Sequence, residues 1–571
     1  MVMLVYSLLF LPAVWGGTEL LKNADFESHF SSSDWRAMSG TISATSDAYH
    51  GHQAAKVTKR THSYSALEQY VTVKKGHRYY FRAYVKILNY AHSKDKQNVA
   101  PGMSFKERSS GKTHYQGFGV TPYIQVGQWH IIGGDTLIPD VDITDAHVYI
   151  RPDDQSVDFI VDDASLQEIL PLTGFPADAN KRIDSIRKAD ITIRLDDHSV
   201  APSGLSVEVE ETSGMFGFGS AINAKALVDP SMKGYQNFFY QNFKWAVHGG
   251  YLKWKTMEPQ RGHIDYDTAM KAINALLSHG VKIRGHNIFW ESNSPAWVDH
   301  LSGQALRQAM EKRLHDVVGH YKGKLQQWDV DNECLSNDTL VRHSGDVNLT
   351  MWMFREAHKI DPNVQLYFND HEIVNYNKHT VALEDLAVYY KAVGVPVSGI
   401  GIQSHVHHPI DLVVIKARLD EVARAGLPIW ITEMTIEGVP EKDKPQMFDD
   451  LLRLYFSHHA VQGIMLWGFW SKLMSRPESA LCTGSDCTPN DTGKRVHQLL
   501  QTEWRTHETH DLHKGQTIHI RGFKGHYTLR VKHADHVIHE ENFYLGYKGT
   551  DLKVSLSGSS TRPHVNQILV G

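Results

Sequence analysis

Residues 327–333 read Gln327-Trp328-Asp329-Val330-Asp331-Asn332-Glu333, and residues 428–433 read Pro428-Ile429-Trp430-Ile431-Thr432-Glu433. Each is a short run with apolar alternation that ends on a glutamate. Each follows an amphipathic stretch, 305–321 before the first and 412–425 before the second. Short strands alternating with helices mark a parallel α/β arrangement. On either side the pattern repeats, giving eight strand candidates: 216–222, 246–252, 282–289, 327–330, 365–369, 399–403, 428–432 and 463–467. Eight such units predict an α/β TIM (β/α)8 barrel over residues 188–505.

The flanks read differently. Residues 18–168 carry short alternating strands at 67–73, 79–87, 129–136, 146–150 and 158–161, with Gly, Ser and Asp between them. This predicts an N-terminal, jelly-roll-like β-sandwich. Residues 169–187, with Pro171 and Pro176, read as a linker, and 506–571 as a β-rich C-terminal extension. Residues 1–17 are uncharged until Gly17, with an apolar run over 4–14. That run is too short to span a bilayer and fits a signal peptide, so a secreted, extracellular protein is expected. No other long apolar run occurs, so no membrane span is expected. Cys482 and Cys487 enclose a turn-forming Thr-Gly-Ser-Asp and predict a local disulfide, which leaves Cys334 unpaired. Sequons at Asn337, Asn348 and Asn490 are candidate glycosylation sites.

Composition narrows the function. Hydrophobic residues at 41% and charged residues at 22% are ordinary globular values and exclude disordered, collagen-like and coiled-coil classes. Lys plus Arg is 59 against 64 for Asp plus Glu, so no basic excess points to nucleic acid. The 36 histidines show no HExxH spacing, and no nucleotide-binding loop occurs. No metal and no cofactor are expected, and a monomer is.

In a (β/α)8 barrel the site is built on the C-terminal strand ends. Those ends read Arg284-Gly285-His286-Asn287-Ile288-Phe289-Trp290, Trp328 to Glu333, Gln403-Ser404-His405, Ile431-Thr432-Glu433 and Trp467-Gly468-Phe469-Trp470. Two glutamates, two histidines, amides and indoles are thereby assigned to one mouth. Carboxyl pairs cleave glycosidic bonds, and aromatic faces stack on sugar rings.

These residues carry a resemblance. Trp328 to Glu333 resembles the acid/base motif of glycoside hydrolase family 10, whose members are mostly endo-β-1,4-xylanases, and Ile431 to Glu433 looks like its nucleophile motif. Arg284 to Trp290, Lys253-Trp254 and Gly399 to His405 match its third, second and sixth strands, and Arg521 to Tyr527 resembles the close of plant-type members. The resemblance implies double displacement with retention, Glu333 as acid/base and Glu433 as nucleophile. It implies substrate contacts from Lys253, His286, Trp290, Asn332, Asn369, Gln403, His405 and Trp467. The implied partner is a polysaccharide, β-1,4-xylan; β-1,4-glucan is expected as a second substrate from the departures at Gly249, Gly250 and Ser475. The N-terminal region is similar to carbohydrate-binding modules of families 4, 9 and 22, through Asn23 to Glu27 and Asp158 to Leu166. By that similarity Arg60, Tyr64 and Tyr149 fall at sugar-contacting positions, and Arg151 falls where a glutamate is expected.

Three departures accompany the resemblance. Gly249-Gly250 stand where the family has Glu-Asn, Thr435 replaces an Asp that orients the strand-six histidine, and Ser475 replaces a Trp that closes over the cleaved sugar. They open the cleft. Two functions are therefore weighed: a secreted retaining endo-β-1,4-glycanase, or a catalytically weak or inactive carbohydrate-binding or matrix protein on the same barrel.

Overall fold

The computed structural model describes residues 17–31, 33–90, 97–196, 198–199, 203–559 and 562–570. The signal-peptide reading therefore falls outside the described residues, apart from Gly17.

The barrel strands are β1 (Gly217–Ala221), β2 (Trp245–His248), β3 (Lys282–Gly285), β4 (Gln327–Asn332), β5 (Gln365–Asp370), β6 (Gly399–Ile402), β7 (Ile429–Glu437) and β8 (Val461–Leu466). After them come helices α1 (Lys233–Asn242), α2 (Asp267–Ser278), α3 (Gly303–Leu314), α4 (Leu349–Ile360), α5 (Thr380–Ala392), α6 (Leu412–Ala423), α7 (Lys444–Phe456) and α8 (Asp491–Gln498). The parallel sheet runs β3-β2-β1-β8-β7-β6-β5-β4 and closes where β3 pairs with β4, Arg284 opposite Gln327. Every residue of β4 is buried, as a strand covered on both faces requires.

Glycine and large aromatics pack reciprocally in this sheet. A Cβ on Gly217 or Gly463 would overlap the Trp430 indole, one on Gly285 would overlap Trp328, and one on Gly399 would overlap Tyr367. Interiors are packed to crystal-like density, so a ring this size needs a neighbour without a side chain.

The chain divides into two compact units. One holds the chain up to Thr173 with Ile288–His320 and Asp329–Pro428; the other holds Gly174–Asn287, Tyr321–Trp328 and Ile429 onward. In the first unit lies the N-terminal sandwich. Its two sheets are ordered 36–37, 67–70, 143–152, 97–107, 113–117 and 41–45, 54–58, 159–168, 78–87, 129–137. Phe26, Trp35, Phe81, Phe105, Val148 and Phe159 are among the fully buried side chains between them. The second sheet turns Tyr80, Tyr84 and Ile131 onto Val381 of α5 and Ala417 of α6.

Two domain assignments change. Residues 177–187, read as linker, form a helix with Ala179 and Ile183 buried. Residues 188–214, read as the start of the barrel, belong with the tail. Strands 188–195 and 205–214 enter two four-stranded sheets, one with 517–523, 550–559 and 562–570, the other with 507–511, 525–533 and 536–545. The reason is apolar pairing: Ile191, Ile193, Val207 and Val209 share a buried cluster with Leu529, Val531, Leu552 and Val554. The tail is half of a second sandwich completed by these strands.

Candidate functional site

Glu333 stands one residue beyond β4 with φ 61°, and Ser404 just beyond β6 also has φ 61°. Left-handed backbone at non-glycine residues is costly and concentrates at functional sites. The Glu333 carboxylate is held from two sides: the Trp290 indole N–H donates to Oε2 at 2.8 Å, and the Gln403 amide donates to Oε1 at 3.0 Å. The His371 ring, with Nδ1 3.8 Å from Oε1, lies beside it, and 17% of the glutamate side chain remains exposed. The Glu333 backbone N–H donates to the Asn369 carbonyl at 2.8 Å, and the Asn369 amide donates to Asn332 Oδ1 at 2.8 Å. The Asn332 Nδ2 donor is buried without a hydrogen-bond partner. An unsatisfied buried donor beside a carboxylate is what a ligand hydroxyl would satisfy.

Behind this wall are buried acids. Asp331 has only the Thr350 hydroxyl, at 2.8 Å, donating to Oδ2, and its Oδ1 has no partner. Burial pushes it up to about 7. Asp370 accepts from the backbone N–H groups of Leu335 and His371 at 3.1 and 2.8 Å, and burial pushes it up to about 8. Neither was singled out by the sequence reading, although acids inside an apolar strand are a visible signal.

In the second unit, Glu433 on β7 is nearly covered, with the His286 ring nitrogen Nδ1 3.8 Å from Oε1. The His286 ring meets Trp467 edge-on at 5.1 Å, and the Lys253 ammonium lies 5.8 Å from the indole centre. A cleft of about 250 Å³ opens here, lined by Asn223, Gly249, Gly250, Tyr251, Trp467 and Ser475 among others. A Cβ at Gly249 would press on the Trp467 indole at 3.0 Å, whereas one at Gly250 would meet open space. Thr435 is fully buried and its hydroxyl donates to Glu437 at 3.4 Å. Glu437 also pairs with Arg476, which ties the loop carrying Ser475 to the end of β7. His405 begins the short strand His405–His407 and is half-buried.

The sandwich presents a second candidate face. Register sets Glu68, Tyr149, Gly102 and Gly117 in one row, and Tyr70, His147, Ser104 and Tyr115 in the next. Directly opposed residues share a face. Tyr70 and Tyr115 are exposed, and Tyr149 leans over Gly102, where a Cβ would overlap its phenol. Arg36 donates to the buried Glu68 carboxylate at 2.7 Å. Strand alternation over 67–70 could have flagged Glu68 and Tyr70. Arg60 is a correction: it is buried, and its guanidinium donates to the backbone carbonyls of Ser65, Pro152, Asp154 and Val157 at 2.9, 2.8, 2.5 and 3.3 Å. Each of its three guanidinium nitrogens is engaged with these carbonyls, which joins residue 65 to the 152–157 turn. Tyr64 is exposed and stacks on His62 at 4.7 Å.

Cys482 and Cys487 form the disulfide, and Cys334 is free. Of the sequon asparagines, Asn490 caps α8, accepting from the Gly493 N–H and donating to the Ala480 carbonyl, both at 2.8 Å. Asn337 accepts from Thr339 and Asn348 is exposed. Among the described residues no helix is long and apolar enough to cross a membrane.

A closed parallel barrel with carboxylates, amides and an indole-lined cleft at its strand ends has the make-up of the glycoside hydrolase class. Residues 208–491 match the model of glycosyl hydrolase family 10, and residues 18–156 match a carbohydrate binding domain. The barrel domain of this chain belongs to glycosyl hydrolase family 10. The chain is 35% identical over 372 residues to the anti-sigma-I factor RsgI6 of Acetivibrio thermocellus, covering 64% of this chain and 48% of that protein. It is 31% identical over 494 residues to endo-1,4-beta-xylanase 1 of Arabidopsis thaliana, covering 83% and 49%, and 32% identical over 419 residues to endo-1,4-beta-xylanase 3, covering 71% and 54%. The chain spans about half the length of these curated relatives.

Proposed function

We propose that this chain is a retaining endo-β-1,4-glycanase that hydrolyses xylan. The observation that carries the reading is the Glu333 carboxylate, gripped by Trp290 and Gln403 at the strand ends of a family 10 barrel. Glu433 attacks the anomeric carbon while Glu333 protonates the leaving oxygen; a water activated by Glu333 then releases the sugar with its configuration retained. The free Nδ2 of Asn332 donates to a sugar hydroxyl, Trp467 floors the subsite, and Lys253 and His286 line it. Asn369 holds Asn332, and His405 orients the nucleophile. The similarity to xylanases supports xylan as substrate. The space at Gly250 and Ser475 supports β-1,4-glucan as a second one. The apolar N-terminal segment supports secretion, with which the disulfide agrees, and the sandwich binds polysaccharide through the Tyr149 face.

The test pairs variants with substrates. Glu433→Ala should abolish cleavage of every substrate. Glu333→Ala should lose xylan but keep partial activity on aryl glycosides whose leaving groups need no proton. Equal losses for both variants on an activated aryl glycoside would refute the assignment. Proton NMR should show the first product with the substrate's anomeric configuration. The non-catalytic reading is favoured by the departures at Gly249-Gly250, Thr435 and Ser475, and absence of reducing sugar from both xylan and soluble cellulose would establish it.

A further inference from the structure

The segment 371–379 after β5 joins the Glu333 wall to the N-terminal sandwich. The last two residues of β5, just before it, are bound to the Glu333 turn, and its first residue touches the same turn. Glu333 N–H donates to Asn369 O, Leu335 N–H donates to Asp370 Oδ2 at 3.1 Å, and the His371 ring reaches Ser336 Oγ at 3.4 Å. At its far end it is bound to the sandwich. The Asn377 amide donates to the backbone carbonyls of Phe118, at 3.0 Å, and Asp135. The Val120 N–H donates to Lys378 O at 3.0 Å. Between these, Arg418 of α6 bridges both: its Nε and Nη2 donate to Asp135 at 2.6 and 3.0 Å, and its Nη1 donates to Val374 O at 2.9 Å. Asp135 is fully buried. The approach is so close that a Cβ on Gly119 would sit 2.9 Å from Asn377 O, and one on Gly134 would overlap Phe118 O. Next to it, Arg82 of the sandwich is shared between Glu384 of α5 and Glu421 of α6.

A module that only tethers substrate needs none of this. We propose that the sandwich is a positioning element of the reaction, holding the 371–379 segment and through it the turn that carries Glu333. The inference rests on the reading of Glu333 as acid/base. The sandwich touches no reacting atom; it acts through the segment that packs on the carboxylate. A misplacement of a catalytic group by about 1 Å can cost on the order of a hundredfold in rate.

The experiment uses the full chain and aryl β-xylobiosides, which are too short to need the sandwich as a tether. Asn377→Ala removes the amide that donates to the two sandwich carbonyls. Expected is a loss of about tenfold to a hundredfold in kcat on a poor leaving group such as phenol. KM should not change, and a dinitrophenyl leaving group, which needs no proton, should show little loss. Arg418→Lys keeps a charge for Asp135 while giving up the bond to Val374 O, and carries the same test if Asn377→Ala fails to fold. Xylan retention in affinity gels should match that of the wild type. Full activity on both aryl substrates, or equal losses on both, while Glu333→Ala remains selective for leaving group, would overturn the proposal. If Glu333→Ala is itself not selective, the acid/base reading falls and this inference falls with it.

Discussion

Arg82 donates from Nη1 to Glu384 at 2.7 Å and also to Glu421, and both carboxylates are fully buried. Arg424 stands farther off, 3.9 Å from Glu384 and 4.0 Å from Glu421, and is partly exposed, so Arg82 alone is in hydrogen-bond contact with the two buried carboxylates. Burial first, and the Glu421 charge with it, push Glu384 up to about 8, against the pull of Arg82 and, more weakly, Arg424. An unfolded glutamate titrates near 4.3. Between those values the folded protein holds a proton that the unfolded chain releases. The stabilisation is fully present below the unfolded value and is lost as pH rises through about 8. One proton corresponds to a slope of about 1.4 kcal/mol per pH unit. At about 2 °C per kcal/mol for a large domain, the melting temperature should fall by about 3 °C per pH unit from this group. Glu384→Gln keeps an acceptor for Arg82 and removes the proton. Melting curves from pH 5 to 8.5 at fixed ionic strength should converge at the acid end. At pH 8 the variant should be the more stable, with a slope shallower by that amount. Parallel curves, or a variant that loses stability at pH 8, would refute the argument that Glu384 is neutral in the fold.

Asp331→Asn should act with the same sign, because burial holds this carboxyl at about 7 with one hydroxyl partner; it should raise the melting temperature at pH 8 and change little at pH 5. Gly463→Ala drives a methyl group into the Trp430 indole and should destabilise the barrel by about 1–3 kcal/mol, read by chemical unfolding. Ser475→Trp should fill the cleft beside Gly250 and lower the ratio of glucan to xylan cleavage; an unchanged ratio of initial rates would remove Ser475 from specificity. Arg60→Met strips donors from four backbone carbonyls and should lower the melting temperature while leaving aryl-xylobioside turnover in place.

The eight strand–helix units were legible because each is local. A parallel strand covered on both faces reads as a short apolar run, and an amphipathic helix announces itself by its own spacing, so β4 and β7 fall where Trp328-Asp329-Val330 and Trp430-Ile431 place them. Glu333 was legible for the same reason: it ends such a run. Residues 188–214 look like the strands of any β segment, and nothing local says that Ile191 and Val207 will find Leu552 and Leu529 more than three hundred residues onward. Arg60 failed as a sugar contact because an arginine is the same letter whether its guanidinium faces solvent or four backbone carbonyls. The Arg82, Asp135 and Asn377 contacts join positions with no spacing in common, and only the packed fold brings them together. Periodicity is written in neighbouring residues, whereas the partners of a buried polar group are chosen by which surfaces remain to be covered once the elements have formed.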